Sequence, residues 1–501
     1  MKYVIGVDAG TTSFKAGIFS DSLRAVKIIS ENYELHYTKN GFIEFPPEEY
    51  WQMFCKLTRR LLSETGIPPI DIEGLSICSQ GETMICTDSN FRPVQNAIVW
   101  TDARASKQAN AIRRDFGEKS VFEHTGQREI SSGWPATKLI WIKDNLPDVF
   151  KKISHVFLLE DYLIYRLTGH FVTDKSISSS TLYLDIKTGE WWEDMLAYIG
   201  LSEDKFPRIH ESCEKIASIT YSASCDTGLS TSTSVISGAL DQASGMLGAG
   251  NIKFGTVTET TGTCLAVCSY IESDFPNHLN CNLPIHCGIL PKSYYAIYWS
   301  PAAGSINKWI SEAFYSNSKK EEEELFQLID NEAAEIVPGS EGLTLMPYHS
   351  GINYPYSNGS ARGVFTGISL THKRAHFARA SLESIAYLLR QSINEIAKHG
   401  IDTTMIYSLG GGSSSSLWNQ IKADVTQIPI HTLYEDEVTC KGAAIIAAAG
   451  IGMFPDLASA AGSSIREKDV YLPNKLNFPA YISGYDTFVE NINKFYDKSF
   501  Q

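Results

Sequence analysis

The opening of the chain alternates between apolar runs and one small polar segment. Residues 3–7 are apolar, Asp8-Ala9-Gly10-Thr11-Thr12 is small and polar, and residues 14–19 resume an apolar run. This pattern predicts a β-hairpin with its turn at 8–12. Helical spacing follows over 47–64, strand-like runs over 72–78 and 84–87, and helical spacing again over 138–145 and 160–168. Strands mixed with helices across the first half predict an α/β domain. Near 245–255 the chain turns small and glycine-rich, and a strand is predicted from Thr256. The segment Thr258-Glu259-Thr260-Thr261-Gly262-Thr263, followed by the β-prone 265–267, echoes the opening: strand, hydroxyl-rich turn, strand. The division into domains is therefore expected here, as 1–248 and 249–501. Later, 316–335 carries Lys319-Lys320 and then Glu321 to Glu324 before apolar residues at helical spacing, the pattern of a solvated helix face. Residues 382–396 read as a helix, 405–409 as a strand, 408–416 as a Gly/Ser loop and 417–425 as another helix.

Composition narrows the function. The 501 residues are 43% hydrophobic and 20% charged, an ordinary globular profile with room for two or three domains. Lys plus Arg number 43 against 57 Asp plus Glu, a formal net charge of −14. Neither nucleic acid nor an anionic membrane is an expected partner. An acidic protein that handles phosphates has to build local donor sites or recruit a cation. The ten cysteines include no C-x-x-C pair, so no disulfide framework is expected. Cys264, Cys268, His278, Cys281, His286 and Cys287 do not follow a zinc-site spacing, and Cys264 and Cys268 are expected to share a strand face and pack there. Asp8 interrupts the first apolar run too early for a secretory segment, and the apolar stretch 442–454 is too short to span a bilayer. A cytoplasmic location is the expectation.

Three segments offer chemistry. In Asp8-Ala9-Gly10-Thr11-Thr12, Gly10 permits the turn, Thr11 and Thr12 supply hydroxyl and N–H donors, and Asp8 ends a buried strand. A carboxylate so placed can hold Mg²⁺ through its water shell while the turn receives phosphate oxygens. An ordinary hairpin turn has the same residues. Gly410-Gly411-Gly412-Ser413 lies between an apolar strand and a helix start, where backbone can approach a ligand and negative charge is favoured. It is neither a Walker loop nor a G-x-G-x-x-G fingerprint. Asp241, after the apolar 234–236, is either a helix N-cap or a general base for a substrate hydroxyl.

Together these pieces resemble the FGGY family of carbohydrate kinases. Gly133-Trp134-Pro135-Ala136-Thr137-Lys138-Leu139-Ile140-Trp141-Ile142-Lys143-Asp144-Asn145 fits the family's first signature. Gly363-Val364-Phe365-Thr366-Gly367-Ile368 through His376-Phe377 to Ala380-Ser381-Leu382-Glu383 fits the second. The resemblance implies an α/β fold of two actin-like (ribonuclease H-like) ATPase domains flanking a catalytic cleft, with 1–248 mainly binding sugar and 249–501 mainly binding ATP. It implies Asp8 and Asp241 as the Mg²⁺-associated carboxylates and Asp241 as the catalytic base. Thr11, Thr12, Thr261 and Gly262 match the phosphate loops, although Thr260-Thr261 stands where relatives commonly have Gly-Thr. Gly411, Gly412 and Ser416 match the adenosine contacts.

For the acceptor the resemblance divides. Gln80, Glu82, Thr83, Trp100, Asp241 and Gln242 are the implied substrate-binding residues. Ser79-Gln80-Gly81-Glu82-Thr83 keeps the acid of the glycerol kinase turn but has Gly81 in place of its arginine, while 363–370 and 410–425 are more like xylulokinases. The missing arginine is expected to leave room for a substrate longer than glycerol. A ketopentose such as xylulose is the first expectation and glycerol or another polyol the alternative. A sugar-responsive actin-like ATPase without kinase activity is the reading from another class, against which Asp241 speaks. The sequence leaves a homodimer open.

Overall fold

A computed structural model describes residues 2–271, 283–316, 318, 321–353, 358–398 and 400–496. The chain forms two compact units. The first comprises Met1–Ile252, the described part of Glu272–Tyr295, and Glu437–Ile465; the second comprises Lys253–Ile271, Ala296–Asp436 and Arg466–Gln501, again as far as described.

The sheet of the first unit has the strand order Lys215–Ser218, Ser234–Leu240, Ile72–Ser79, Tyr3–Ala9, Ser13–Ser20, Ala25–Asn32. The three strands ending at Leu240, Ser79 and Ala9 run parallel, and the flanking pairs are antiparallel. The opening hairpin forms as its pattern predicts, with one difference. Asp8 is paired within the strand, opposite Lys15 and Cys78, and the turn is confined to the residues after Ala9. One face of this sheet meets the helix Pro47–Thr65, whose Tyr50, Trp51, Phe54, Leu57 and Leu61 are buried with Val7, Ala9, Phe14 and Ile77.

The other face is covered by the helix Val438–Gly450, apolar and buried almost all round. This explains the apolar stretch at 442–454: it is a core helix, and among the described residues no helix is long and apolar enough to cross a membrane. It packs through glycines. A Cβ on Gly6 would lie 2.1 Å from the Cys440 carbonyl oxygen. Gly442 would meet the Ser244 carbonyl oxygen at 1.9 Å, and Gly248 that of Val438 at 1.9 Å. The helix Asp241–Gly248 is thereby held backbone to backbone against Val438–Gly450.

Six strands of the seven-stranded second sheet run in the order Tyr294–Ser300, Leu265–Ile271, Thr256–Thr261, Met405–Leu409, Ile430–Leu433, Glu467–Tyr471. Thr256–Thr261 pairs antiparallel with Leu265–Ile271 and parallel with Met405–Leu409, which pairs parallel with Ile430–Leu433, and Glu467–Tyr471 closes antiparallel. This is the order of the first sheet repeated, so the echo at 258–267 marks a duplicated topology. Cys264 lies in the turn before Leu265–Ile271, not on the strand with Cys268 as the spacing suggested. His278, Cys281, Lys319 and Lys320 lie outside the described residues. The expected helix of 316–335 is Glu322–Ala334, and that of 382–396 lies within Arg374–Ala397.

The glycine contacts define a stability test. Gly442→Ala puts a methyl group on the Ser244 backbone and should destabilise the chain by about 1–3 kcal/mol. Gly462→Ala, in a helix with open space around the new methyl, should stay within about 1 kcal/mol of the parent or gain slightly. Thermal midpoints of the two variants measure the difference.

Candidate active site

In the first unit the parallel strands end side by side, and the candidate residues follow them. Asp8 is the last residue but one of its strand, Gln80 to Thr83 follow Ser79, and Asp241 follows Leu240. Asp8, Glu82 and Asp241 are each half-buried, not sealed in the core. Burial pushes the Asp8 carboxyl up to about 7, with the Asp241 charge adding to it and Lys15 opposing. Asp241 is pushed up to about 6 by burial, against a hydrogen bond that its Oδ1 accepts from the Gln242 N–H at 2.7 Å. That N–H is in the first turn of Asp241–Gly248 and fixes the carboxylate's direction.

Glu82 adopts φ +50°, in the left-handed region that non-glycine residues rarely enter. Burial drives its carboxyl upward, and the nearby Lys138 ammonium counters this. Lys138 is itself completely buried, which drives its ammonium downward. Its Nζ donates to the carbonyls of Glu82 at 3.1 Å and Val99 at 2.9 Å. One cation thus ties the 80–83 turn to the segment bearing Trp100. The Trp100 N–H donates to Thr83 Oγ1 at 3.2 Å, and its indole Nε1 donates to Thr11 Oγ1 at 2.8 Å. Thr11 is half-buried and Thr12 exposed. Gln80 points into the protein, its Nε2 donating to the Gly10 carbonyl at 3.4 Å and to Tyr33 Oη at 3.3 Å. Lys138 was in the quoted signature without a role, and helical spacing alone gave no sign of its burial.

The room expected beside Gly81 is absent. A Cβ there would lie 2.8 Å from both Leu240 Cδ1 and Ser180 Oγ, because the buried Ser178–Thr181 segment fills the space. A side chain at position 81 would have to displace Leu240 or Ser180, so the missing arginine does not by itself open space at this turn.

Among the described residues no three His, Cys, Asp or Glu side chains form a metal cage. Asp8 and Asp241 are nevertheless two carboxylates whose charges oppose each other, and Lys15 is engaged with Glu437 at 2.6 Å. This donor set fits Mg²⁺, which is commonly held by one or two carboxylates together with substrate phosphates and water.

In the second unit, Thr256–Thr261 leads into an exposed Gly262 and Thr263. The Gly262 and Thr263 carbonyls accept from the N–H groups of Gly304 at 2.8 Å and Ser305 at 3.2 Å. Thr261 is buried, and its hydroxyl donates inward to Glu259 Oε2 at 2.6 Å. The neighbouring strand ends at Gly410, with φ +73°, from which Gly411 stands in open space and Gly412 packs on Thr261. Ser415 caps the helix Ser416–Thr426 by accepting from the Trp418 N–H, and Ser416 is exposed beside Tyr471. Thr263, exposed where Thr261 is not, escaped the sequence reading although strand alternation from Glu259 predicts Thr261 to face inward.

Two sheets of one topology, one ending in carboxylates and the other in hydroxyl- and glycine-rich turns, define a two-domain fold of the actin-like, ribonuclease H-like type. The solved structure of ligand-bound xylulose kinase from Lactobacillus acidophilus superposes with a TM-score of 0.91 over 100% of both chains at 24% identity. Residues 3–248 match the FGGY family of carbohydrate kinases, N-terminal domain, and 261–451 its C-terminal domain. The chain belongs to this family and is an alcohol-group phosphotransferase, for which the family implies ATP as co-substrate. The chain is 31% identical to xylulose kinase from Bacillus subtilis over 494 residues, 97% of this chain and 96% of that protein. It is also 30% identical to glycerol kinase from Thermococcus gammatolerans, over 91% of this chain and 90% of that protein.

Gly81→Arg tests the packing around the turn. The new side chain should lower the thermal midpoint, with an overpacking cost of about 1–3 kcal/mol or more, and should leave the ratio of activity on pentulose and glycerol without a shift towards glycerol.

Proposed function

We propose that the chain transfers the γ-phosphate of ATP to a hydroxyl of a ketopentose, with xylulose the first candidate, and that Asp241 is its general base. The observation that carries this reading is the Asp241 carboxylate: half-open, oriented by the Gln242 N–H, and with a pKa of about 6 that leaves it largely ionised near neutral pH. Ketopentose comes before glycerol on the near full-length similarity to the xylulose kinase. Glycerol remains the second reading, on Glu82, Trp100 and the glycerol kinase relative.

Each residue has a part in this reading. Glu82 and the Trp100 ring bind the acceptor's hydroxyls and carbon chain, with Thr83 holding the Trp100 backbone and Gln80 bracing the neighbouring Gly10 turn. Gln242 orients the base. Asp241 accepts the proton of the attacking hydroxyl as its oxygen bonds to the γ-phosphorus and the bond to the ADP oxygen breaks. Thr11 and Thr12 donate to phosphate oxygens; Thr11 accepts from Trp100 and still carries its own proton. Gly262 contributes close approach in the second unit and Thr263 an exposed hydroxyl, with Thr261 as the buried support beneath. Gly411, Gly412 and Ser416 form the adenosine end. Asp8 and Asp241 would hold Mg²⁺, which when bound neutralises charge on the transferring phosphates. The division of labour proposed is sugar and base in 1–248, nucleotide in 249–501.

Coupled ADP release over ketopentoses, tetritols, hexonates and glycerol tests the substrate, with xylulose expected to give the highest kcat/KM. A higher value for glycerol would make the second reading the correct one. Asp241→Asn should bind sugar almost normally and turn over about 10²–10⁴-fold more slowly, the usual contribution of a general base. Turnover within a few-fold of the parent in folded protein would remove Asp241 from that role.

Asp8→Ala should raise the Mg²⁺ concentration needed for half-maximal turnover while leaving sugar affinity unchanged. Titration of Mg²⁺ at saturating sugar, beside a direct sugar-binding measurement, separates the two effects. A change in sugar affinity alone would contradict the assignment.

A further inference from the structure

The repeated sheet allows its two copies to be compared position by position. Asp8-Ala9-Gly10 and Thr260-Thr261-Gly262 lead into corresponding turns, so Glu259 corresponds to Val7. Val7 faces Ile77 across a parallel pair, and both belong to the hydrophobic core. Glu259 faces Ser408 across the matching pair, and both are buried. Where one copy has two apolar residues, the other has a carboxylate and a hydroxyl.

The carboxylate is fully engaged. Glu259 Oε2 accepts from Thr261 Oγ1 at 2.6 Å, and Oε1 accepts from Ser408 Oγ at 2.5 Å and from Lys422 Nζ. Lys422 also donates to Ser408 Oγ at 3.1 Å and lies 4.8 Å from the Trp418 ring centroid. The Glu259 and Lys422 side chains are 0% and 1% exposed. A buried ion pair is seldom more stabilising than well-packed apolar groups of the same volume, and the first unit builds the same sheet without one. The charges are therefore not needed to make the sheet.

Their partners indicate their use. Thr261 stands directly before the exposed Gly262-Thr263 turn, and Lys422 is on the helix that follows the Gly410–Gly412 loop. The two segments touch at Thr261: a Cβ on Gly412 would lie 2.6 Å from Thr261 Cγ2, and one on Gly410 would lie 2.8 Å from the Thr261 carbonyl oxygen. Rotation about the Thr261 Cα–Cβ bond moves the methyl group against which Gly412 packs. Glu259 prevents that rotation by holding its hydroxyl, and Lys422 holds Glu259.

We propose that Glu259 and Lys422 are positioning residues of the nucleotide site, which lock Thr261 inward and thereby set the phosphate turn at 262–263 against the adenosine loop at 410–412. This rests on the reading that the second unit binds ATP.

The test is calorimetric binding of Mg·ADP and of xylulose to the full chain. The triple variant Glu259→Val/Ser408→Ile/Lys422→Met copies the apolar pair of the first unit and removes the ion pair. It should fold, with an unchanged xylulose affinity, while its ADP Kd rises at least tenfold. Parent-like ADP affinity in the folded triple variant would overturn the proposal. If that variant does not fold, Thr261→Ser and Thr261→Val replace it. The serine, which keeps the hydroxyl, should bind ADP within a few-fold of the parent, and the valine at least tenfold more weakly. Equal affinities of the two would overturn the proposal. Failure of the parent itself to bind ADP would instead refute the nucleotide reading, and the proposal with it.

Discussion

The first unit depends on backbone meeting backbone where Val438–Gly450 crosses the sheet and the helix Asp241–Gly248. At Gly6, Gly248 and Gly442 there is no space for a methyl group. Contacts this close remove the play that side chains would allow, because interiors are packed near crystal density and transmit displacement. Asp241 opens one of these helices, and Asp8 lies next to the end of the strand beneath the other. The spacing of the two carboxylates is therefore set by glycine contacts in the main chain, and loop conformation has little part in it.

Electrostatics and packing are divided differently in the two copies of the sheet. The first ends in carboxylates that burial makes costly to ionise, an arrangement ready for a cation and a proton. The second ends in hydroxyls, glycines and helix N-termini, which receive negative charge without a net charge of their own. An acidic chain needs the second arrangement for phosphates, since its overall field repels them. Glu259, the carboxylate two residues before Thr261, is turned inward and neutralised by Lys422.

What the sequence makes legible follows from range. Both hairpins, the helix Pro47–Thr65 and the strand before Gly410 are encoded by neighbouring residues, and their patterns read correctly. The family signatures extended this to the fold. Contacts between distant segments were not readable. Nothing near Gly81 announces Ser180 and Leu240, so in sequence the glycine reads as open space. The burial of Lys138 is not written in its own segment, because its acceptors, the Glu82 and Val99 carbonyls, come from other segments. Thr261 is a different case: its inward direction follows from counting two residues from Glu259, and the hydroxyl-rich composition of the turn obscured it.

The helix Val438–Gly450 belongs to a unit whose sheet strands are all complete by Leu240. During synthesis, that sheet must wait with one apolar face uncovered while the strands and helices of the second unit are made. Cys440 and Ala444 reach Gly6 only when the ribosome has passed them. The second unit's parallel strands, through Leu433, are thus made before the first unit's core can be sealed. For this interval the nascent first unit is an open sheet, and its exposed glycine face is the surface that a chaperone would have to shield.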